Sequence, residues 1–147
     1  MSAFLQWEII KNHHSQLLKR PNVRPLSAEK FNVRNIHGMK ANGYINQKAI
    51  HIAPGKDNKG VVMTTKKSKN VNHPGIQLSS NTMTAGPRRL LWKMARSIKK
   101  TGYRKDLKKS CLRRASAILK SQRPGGAVSK RKRRRGAASK KPRVSTA

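Results

Sequence analysis

The sequence predicts a small mixed α+β domain with an N-terminal helix, a few short antiparallel strands and two basic amphipathic C-terminal helices, followed by a disordered basic tail. Three observations predict it. Two segments in the C-terminal half carry apolar residues at helical spacing, β-branched runs flank a dense turn-forming stretch near residues 53–60, and residues 122–147 lose every apolar period. Hydrophobic residues make up 35% of the 147 and aromatic ones 4%, enough for a core but a thin one. The expected organisation is an α+β domain over residues 1–121 and a basic extension over 122–147.

Taken in order, Ser2 is placed to cap a short helix running to about Asn12. Phe4, Leu5, Trp7, Ile9 and Ile10 nearly encircle that helix, which predicts packing on more than one side and puts Trp7 in the core. "SQLLKRPNVRP" begins as an extended run that Pro21 and Pro25 are expected to stop. "FNVRNIHG" and "GYINQKAIHIAPG" read as strands, with Ile50 and Ile52 on one face and Ile45 and Ala49 on the other. "APGKDNKG" followed by "VVMTT" is the strongest hairpin signal in the chain. Residues 66–86 show no period and are expected to form an irregular loop ordered by something other than the domain's own core.

The next two segments carry the most information. In "PRRLLWKMARSIKKTG", Pro87 stands where a helix tolerates proline and Gly102 where a helix ends. Leu91, Met94, Ala95 and Ile98 form its apolar face, and Arg89, Lys93, Arg96 and Lys100 its opposite side. In the second helix, beginning near Asp106, the seam is Leu107, Cys111, Ala115, Ile118 and Leu119, while Lys109, Arg113 and Lys120 share the other face with Ser116. Asp106 is placed to cap this helix and to favour its dipole. Pro124, Gly125 and Gly126 then mark the domain boundary.

Charge decides the function class. Thirty-six Lys and Arg face four acids (Glu8, Glu29, Asp57 and Asp106), so the formal net charge is +32. Internal pairing cannot neutralise that surplus, which points to a polyanionic partner: RNA, DNA or an anionic membrane surface. A solubility face normally mixes Glu with Lys, whereas the two basic helix stripes carry no acid. Arg forks onto phosphate and stacks on bases, which favours folded RNA. Trp92 lies beside the first stripe, where core packing is favoured over stacking on an unpaired base. "KRKRRR" at 130–135 reads equally as a nuclear-import signal or as an extension threading between RNA segments.

Catalysis is poorly supplied, and no enzyme is expected. The acids are not paired in sequence, the histidines (His13, His14, His37, His51 and His73) are scattered, and one cysteine cannot complete a familiar zinc site, so no metal, cofactor or small-molecule substrate is expected. Cys111 lies on an apolar helix face and reads as a packed thiol rather than a nucleophile. The opening lacks a positive segment before its apolar residues and a small-residue cleavage site, and no apolar run reaches the length of a membrane span. A soluble, reduced, intracellular protein without a membrane partner is therefore expected.

Several stretches carry a family resemblance. "MSAFLQWEIIKNHHSQLLKR", "NGYINQKAI…KGVVMTTKK" and above all "LRRASAILKSQRP" resemble a eukaryote-specific protein family of the large ribosomal subunit, the one numbered twenty-eight in the eukaryotic series. The resemblance covers about residues 1–124; the family often has proline where Lys105 stands, and this tail is longer and more basic than usual. It implies an α+β domain on the outside of the large (60S) subunit, held by ribosomal RNA beside neighbouring ribosomal proteins, supporting translation without a catalytic role. It also implies a cytoplasmic location reached through the nucleus and nucleolus. The residues expected at RNA are Arg89, Lys93, Arg96 and Lys100 on the first helix and Lys109, Arg113, Arg114 and Lys120 on the second. Lys66 and Lys67 join them, with Lys130, Arg131, Lys132, Arg133, Arg134 and Arg135 in the tail. The alternatives are a nuclear ribosome-assembly factor, expected to be longer and to carry acidic and cysteine-containing segments, and a DNA-binding chromatin protein.

Overall fold

The computed structural model describes residues 2–123. Four helices and five strands follow one another as α1 (Ala3–Ile10), β1 (Leu17–Arg20), β2 (Val23–Ser27), β3 (Ile50–Pro54), β4 (Val61–Lys66), the single turn α2 (Pro74–Gln77), β5 (Leu78–Met83), α3 (Pro87–Thr101) and α4 (Lys108–Ser121). Strands β1 and β2 form a separate antiparallel hairpin, and β3-β4-β5 form a three-stranded antiparallel sheet with β4 in the middle. The mixed α+β class is the one the sequence predicts.

The core lies between one face of the larger sheet and the two long helices. Alternation in β3 and β4 turns Ile50, Ile52, Val61 and Met63 to the same side, where Leu90, Met94 and Ile98 of α3 and Cys111 and Ala115 of α4 meet them. Gly60 closes the β3–β4 hairpin at a φ of 75°, and a Cβ there would lie 2.2 Å from the Met83 carbonyl oxygen, so close approach of β5 also demands glycine. Gly102 ends α3 in the left-handed conformation at φ 66°. Ser2 caps α1, its hydroxyl accepting from Leu5 N–H at 3.2 Å.

Several expectations are corrected. Helix α1 buries no residue, Phe4, Leu5 and Ile9 are exposed, and Trp7 is only half-buried against the His37 ring, because the described residues bring too little apolar surface to α1 to cover more than one side. Pro21 does end the first extended run, which stops at Arg20 and turns through Asn22 (φ 57°) into a hairpin, but Pro25 stops nothing and lies within β2. Residues 31–49 form turns instead of strands, apart from one antiparallel bridge of Ile36 to Leu26, because asparagine side chains supplant the rest of the ladder. Asn42 Oδ1 accepts from both Tyr44 and Ile45 N–H groups, and Asn32 Nδ2 donates to the Ile36 carbonyl. The 66–86 segment is not an irregular loop: it contains β5, paired with β4 from Val61–Met83 to Lys66–Leu78. Asp106 does not cap α4, whose N-cap is Leu107; its carboxylate instead receives Arg104 at 3.0 and 3.1 Å.

A buried carboxylate organises the turns. Glu29 is 2% exposed and accepts from Ser27 Oγ at 2.6 Å, Asn42 Nδ2 at 2.9 Å and Gly43 N–H at 2.7 Å, joining the end of β2 to the turns before β3. Tyr103 fastens the α3–α4 link to the sheet, its hydroxyl lying 3.2 Å from the Ala49 carbonyl and 2.7 Å from that of Lys66.

Two outcomes follow from this packing. Met94→Ala, at a fully buried position, is expected to lower unfolding free energy by about 2–5 kcal/mol, while Lys93→Ala beside it stays within about 0.5 kcal/mol of the parent in urea denaturation. Glu29→Gln is expected to cost at least about 1–3 kcal/mol, because an amide oxygen cannot take all three donors and its NH2 opposes one of them. A Glu29→Gln protein that denatures at the parent's urea midpoint would show that the carboxylate is not what ties these turns together.

Candidate nucleic-acid interface

Helices α3 and α4 pack side by side on the sheet, so their outward faces form one surface. Arg89, Lys93, Arg96 and Lys100 of α3 and Lys109, Arg113 and Lys120 of α4 are all exposed on it, as expected. Neither helix contains an acidic residue, so this surface carries only positive charge. Lys99 and Lys100 in the last turn of α3 also complement its carbonyl end.

The apolar side of α3 is rotated from the expected one. Leu90, Met94 and Ile98 are buried, with Leu91 and Ala95 only half-buried at the margin. At about 100° per residue, centring the buried face on Leu90, Met94 and Ile98 puts Trp92 about 160° away from it. Trp92 is accordingly 57% exposed among the cations, and the expectation of core packing is overturned. Arg96 lies over the indole, its Cζ 5.0 Å from the ring centroid.

Two of the expected contacts, Arg114 and Lys66, have internal duties. Arg114 is half-buried and donates to Asn35 Oδ1 at 2.9 Å, tying α4 to the turns before β3. Lys66 donates to the Gly43 carbonyl and lies over the Phe31 ring at 4.8 Å. Burial lowers its pKa, a shift that Glu29 opposes. Lys67 is exposed, while its backbone N–H donates to the Gln77 carbonyl. Lys130, Arg131, Lys132, Arg133, Arg134 and Arg135, with the Pro124–Gly126 boundary, lie outside the described residues.

The fold gathers two of the scattered histidines. His14, Glu29 and His37 offer ligand atoms within 4.8 Å of one another, with His14 Nε2 3.4 Å from His37 Nδ1 and 3.8 Å from Glu29 Oε1. These separations suit a small divalent cation. The donor chemistry does not: Glu29 Oε1 already accepts from Ser27 and Asn42, and His14 Nδ1 is buried without the hydrogen-bond acceptor that usually orients a ligating imidazole. The two imidazoles hydrogen-bond to each other and His37 Nε2 to the Lys11 carbonyl at 2.7 Å, so the cluster braces the N-terminal segment beside the Glu29 hub. Sequence spacing gives no sign of it, since 23 residues separate the two imidazoles.

Cys111 is fully buried in the core, and burial pushes its pKa up to about 11, with Asp106 adding to the rise. A thiol held neutral and shielded is no nucleophile at neutral pH. Iodoacetamide at pH 8 is expected to leave Cys111 unmodified in the folded protein and to alkylate it fully in denaturant, as read by intact mass. Rapid labelling of the folded protein would show that the helix seam opens.

Comparison with known proteins finds relatives across most of the chain. The model of the Ribosomal L28e protein family matches residues 5–121. The large ribosomal subunit protein eL28 of Schizosaccharomyces pombe is 34% identical over 133 residues, spanning 88% of this chain and 98% of that protein. Its Caenorhabditis elegans counterpart is 32% identical over 123 residues, spanning 83% and 91% respectively. With a family match across most of its length and a relative aligned nearly end to end, the chain belongs to the Ribosomal L28e protein family.

Proposed function

We propose that this protein is a non-catalytic structural constituent of the large ribosomal subunit, held on ribosomal RNA by the outward faces of α3 and α4. The observation that carries the proposal is the acid-free, exposed basic surface of two adjacent helices. Family membership and the names of the two relatives supply the ribosomal context. Each Lys or Arg that neutralises a phosphate releases condensed counterions, so such a surface binds a nucleic-acid backbone without reading its sequence. Permanence suits this mode: many modest contacts fix RNA segments relative to one another.

Neighbouring ribosomal proteins are the natural partners of the exposed apolar residues on α1, and assembly routes the protein through the nucleus and nucleolus before its cytoplasmic work in translation. The tail, rich in cations by sequence, adds phosphate contacts or an import signal.

Sucrose-gradient fractionation of lysates at low and high salt tests the assignment. Retention with large subunits and polysomes after the salt wash is expected; release by salt, or sedimentation with nuclear precursors or chromatin alone, would favour an assembly factor or a DNA binder. Reversing charge at Arg89, Lys93 and Arg96 to Glu is expected to abolish stable incorporation while circular dichroism keeps the parent's helicity, because all three are exposed. The slope of log affinity for RNA against log salt should flatten by about 2–3. Incorporation of that triple variant at normal stoichiometry would remove α3 from the interface.

A further inference from the structure

We propose that Trp92, backed by Arg96, is a stacking platform for an unpaired nucleobase of the RNA gripped by α3. The inference rests on the RNA reading above and adds to it a ligand class: a base outside any duplex, as distinct from backbone phosphate alone.

The indole has no internal role. Its neighbours one turn away on the helix are Arg88, Arg89, Ala95 and Arg96, so no large apolar side chain covers it. The ring is 57% exposed even with the Arg96 guanidinium over it. Arg89 and Lys93 are exposed beside it, on the same acid-free surface. This is the composition of a single-strand site: cations that track phosphates, and an aromatic ring offering a π-face that any base can meet. A guanidinium over the ring strengthens the platform, because it attracts the indole's electron-rich face while its free N–H groups remain available to phosphate. Paired bases already stack on one another, and the deep, narrow major groove of an RNA helix admits no side chain of this size, so the platform selects loops and bulges. Charge complementarity favours RNA over a protein pocket: an apolar protein groove would bury the surrounding cations beside the ring without phosphates to meet them.

The test uses the full chain and two RNAs: a stem–loop with an unpaired purine loop, and a duplex of equal length and charge. The chain has two tryptophans, so Trp7→Phe leaves Trp92 as the single tryptophan, read by selective indole excitation that spares the two tyrosines. Loop RNA is expected to quench Trp92 and the duplex to leave it bright. Trp92→Ala should weaken loop binding about 5–150-fold with duplex affinity unchanged, and Trp92→Phe should recover most of the loss. If Trp92→Ala binds the loop like the parent while Arg89→Glu/Lys93→Glu weakens both RNAs, the platform fails and the RNA reading stands. If the charge reversal weakens neither RNA, the RNA reading of this face fails as well. Normal loop affinity for Trp92→Ala combined with its loss from large subunits on gradients would overturn the proposal in favour of a protein neighbour at the indole.

Discussion

The shortage of carboxylates governs how this fold is tied together. Four acids serve 36 cations, and all four have places within the domain: Glu29 is buried, Glu8 pairs with Lys11, Asp106 pairs with Arg104, and Asp57 occupies the β3–β4 turn at φ 56°. With no further anions to spend, the protein anchors its inward cations on backbone carbonyls. Lys66 reaches the carbonyl of Gly43, and Arg104 reaches those of Lys48 and Lys40 at 3.0 and 2.8 Å. These bonds satisfy turn carbonyls that have no strand partner, so positive side chains serve as staples for irregular backbone. The cations of α3 and α4 point mostly outward, away from the apolar seam. One division of labour thus accounts for both the stability of the turns and the single sign of the outer surface.

How much of this was legible in the sequence depended on whether local pattern and tertiary packing agreed. They agree in α3 and α4, where apolar spacing, Pro87 and Gly102 mark the same elements that the structure shows. They agree again in the β3–β4 hairpin, whose turn residues and alternating Ile50, Ile52, Val61 and Met63 carry the signal. Strand β5 was illegible because it is an edge: of Leu78–Met83 only Met83 is buried, so no alternation is written into "LSSNTM". The 31–49 segment misled for the opposite reason, showing apolar alternation while Asn32, Asn35 (φ 53°) and Asn42 impose turns through their side chains and backbone.

The candidate surface was readable as a stripe of charge but not in its finer sorting. Exposure of Arg89, Lys93, Arg96 and Lys100 follows from spacing, whereas the internal employment of Arg114 and Lys66 depends on carbonyls and rings brought from distant parts of the chain. Trp92 turned on a single choice between adjacent leucines. Taking Leu91 as the centre of the seam leaves the indole at the edge of the core; Leu90, the residue buried in the structure, sends it outward.

The long-range bond from Tyr103 to the sheet has a consequence for a chain made from its N-terminus. Its acceptors, Ala49 and Lys66, precede it by 54 and 37 residues, and Gln122 reaches back 62 residues to the Gly60 carbonyl. The β3–β4 hairpin is therefore synthesised well before the helices that cover its apolar face. Until α3 and then α4 leave the exit tunnel, Ile50, Ile52, Val61 and Met63 lack their full cover, and the nascent half-domain presents apolar sheet. Protection against aggregation at that stage must come from charge repulsion among nascent chains or from a chaperone, because the fold's own cover is among the last parts of it to be made.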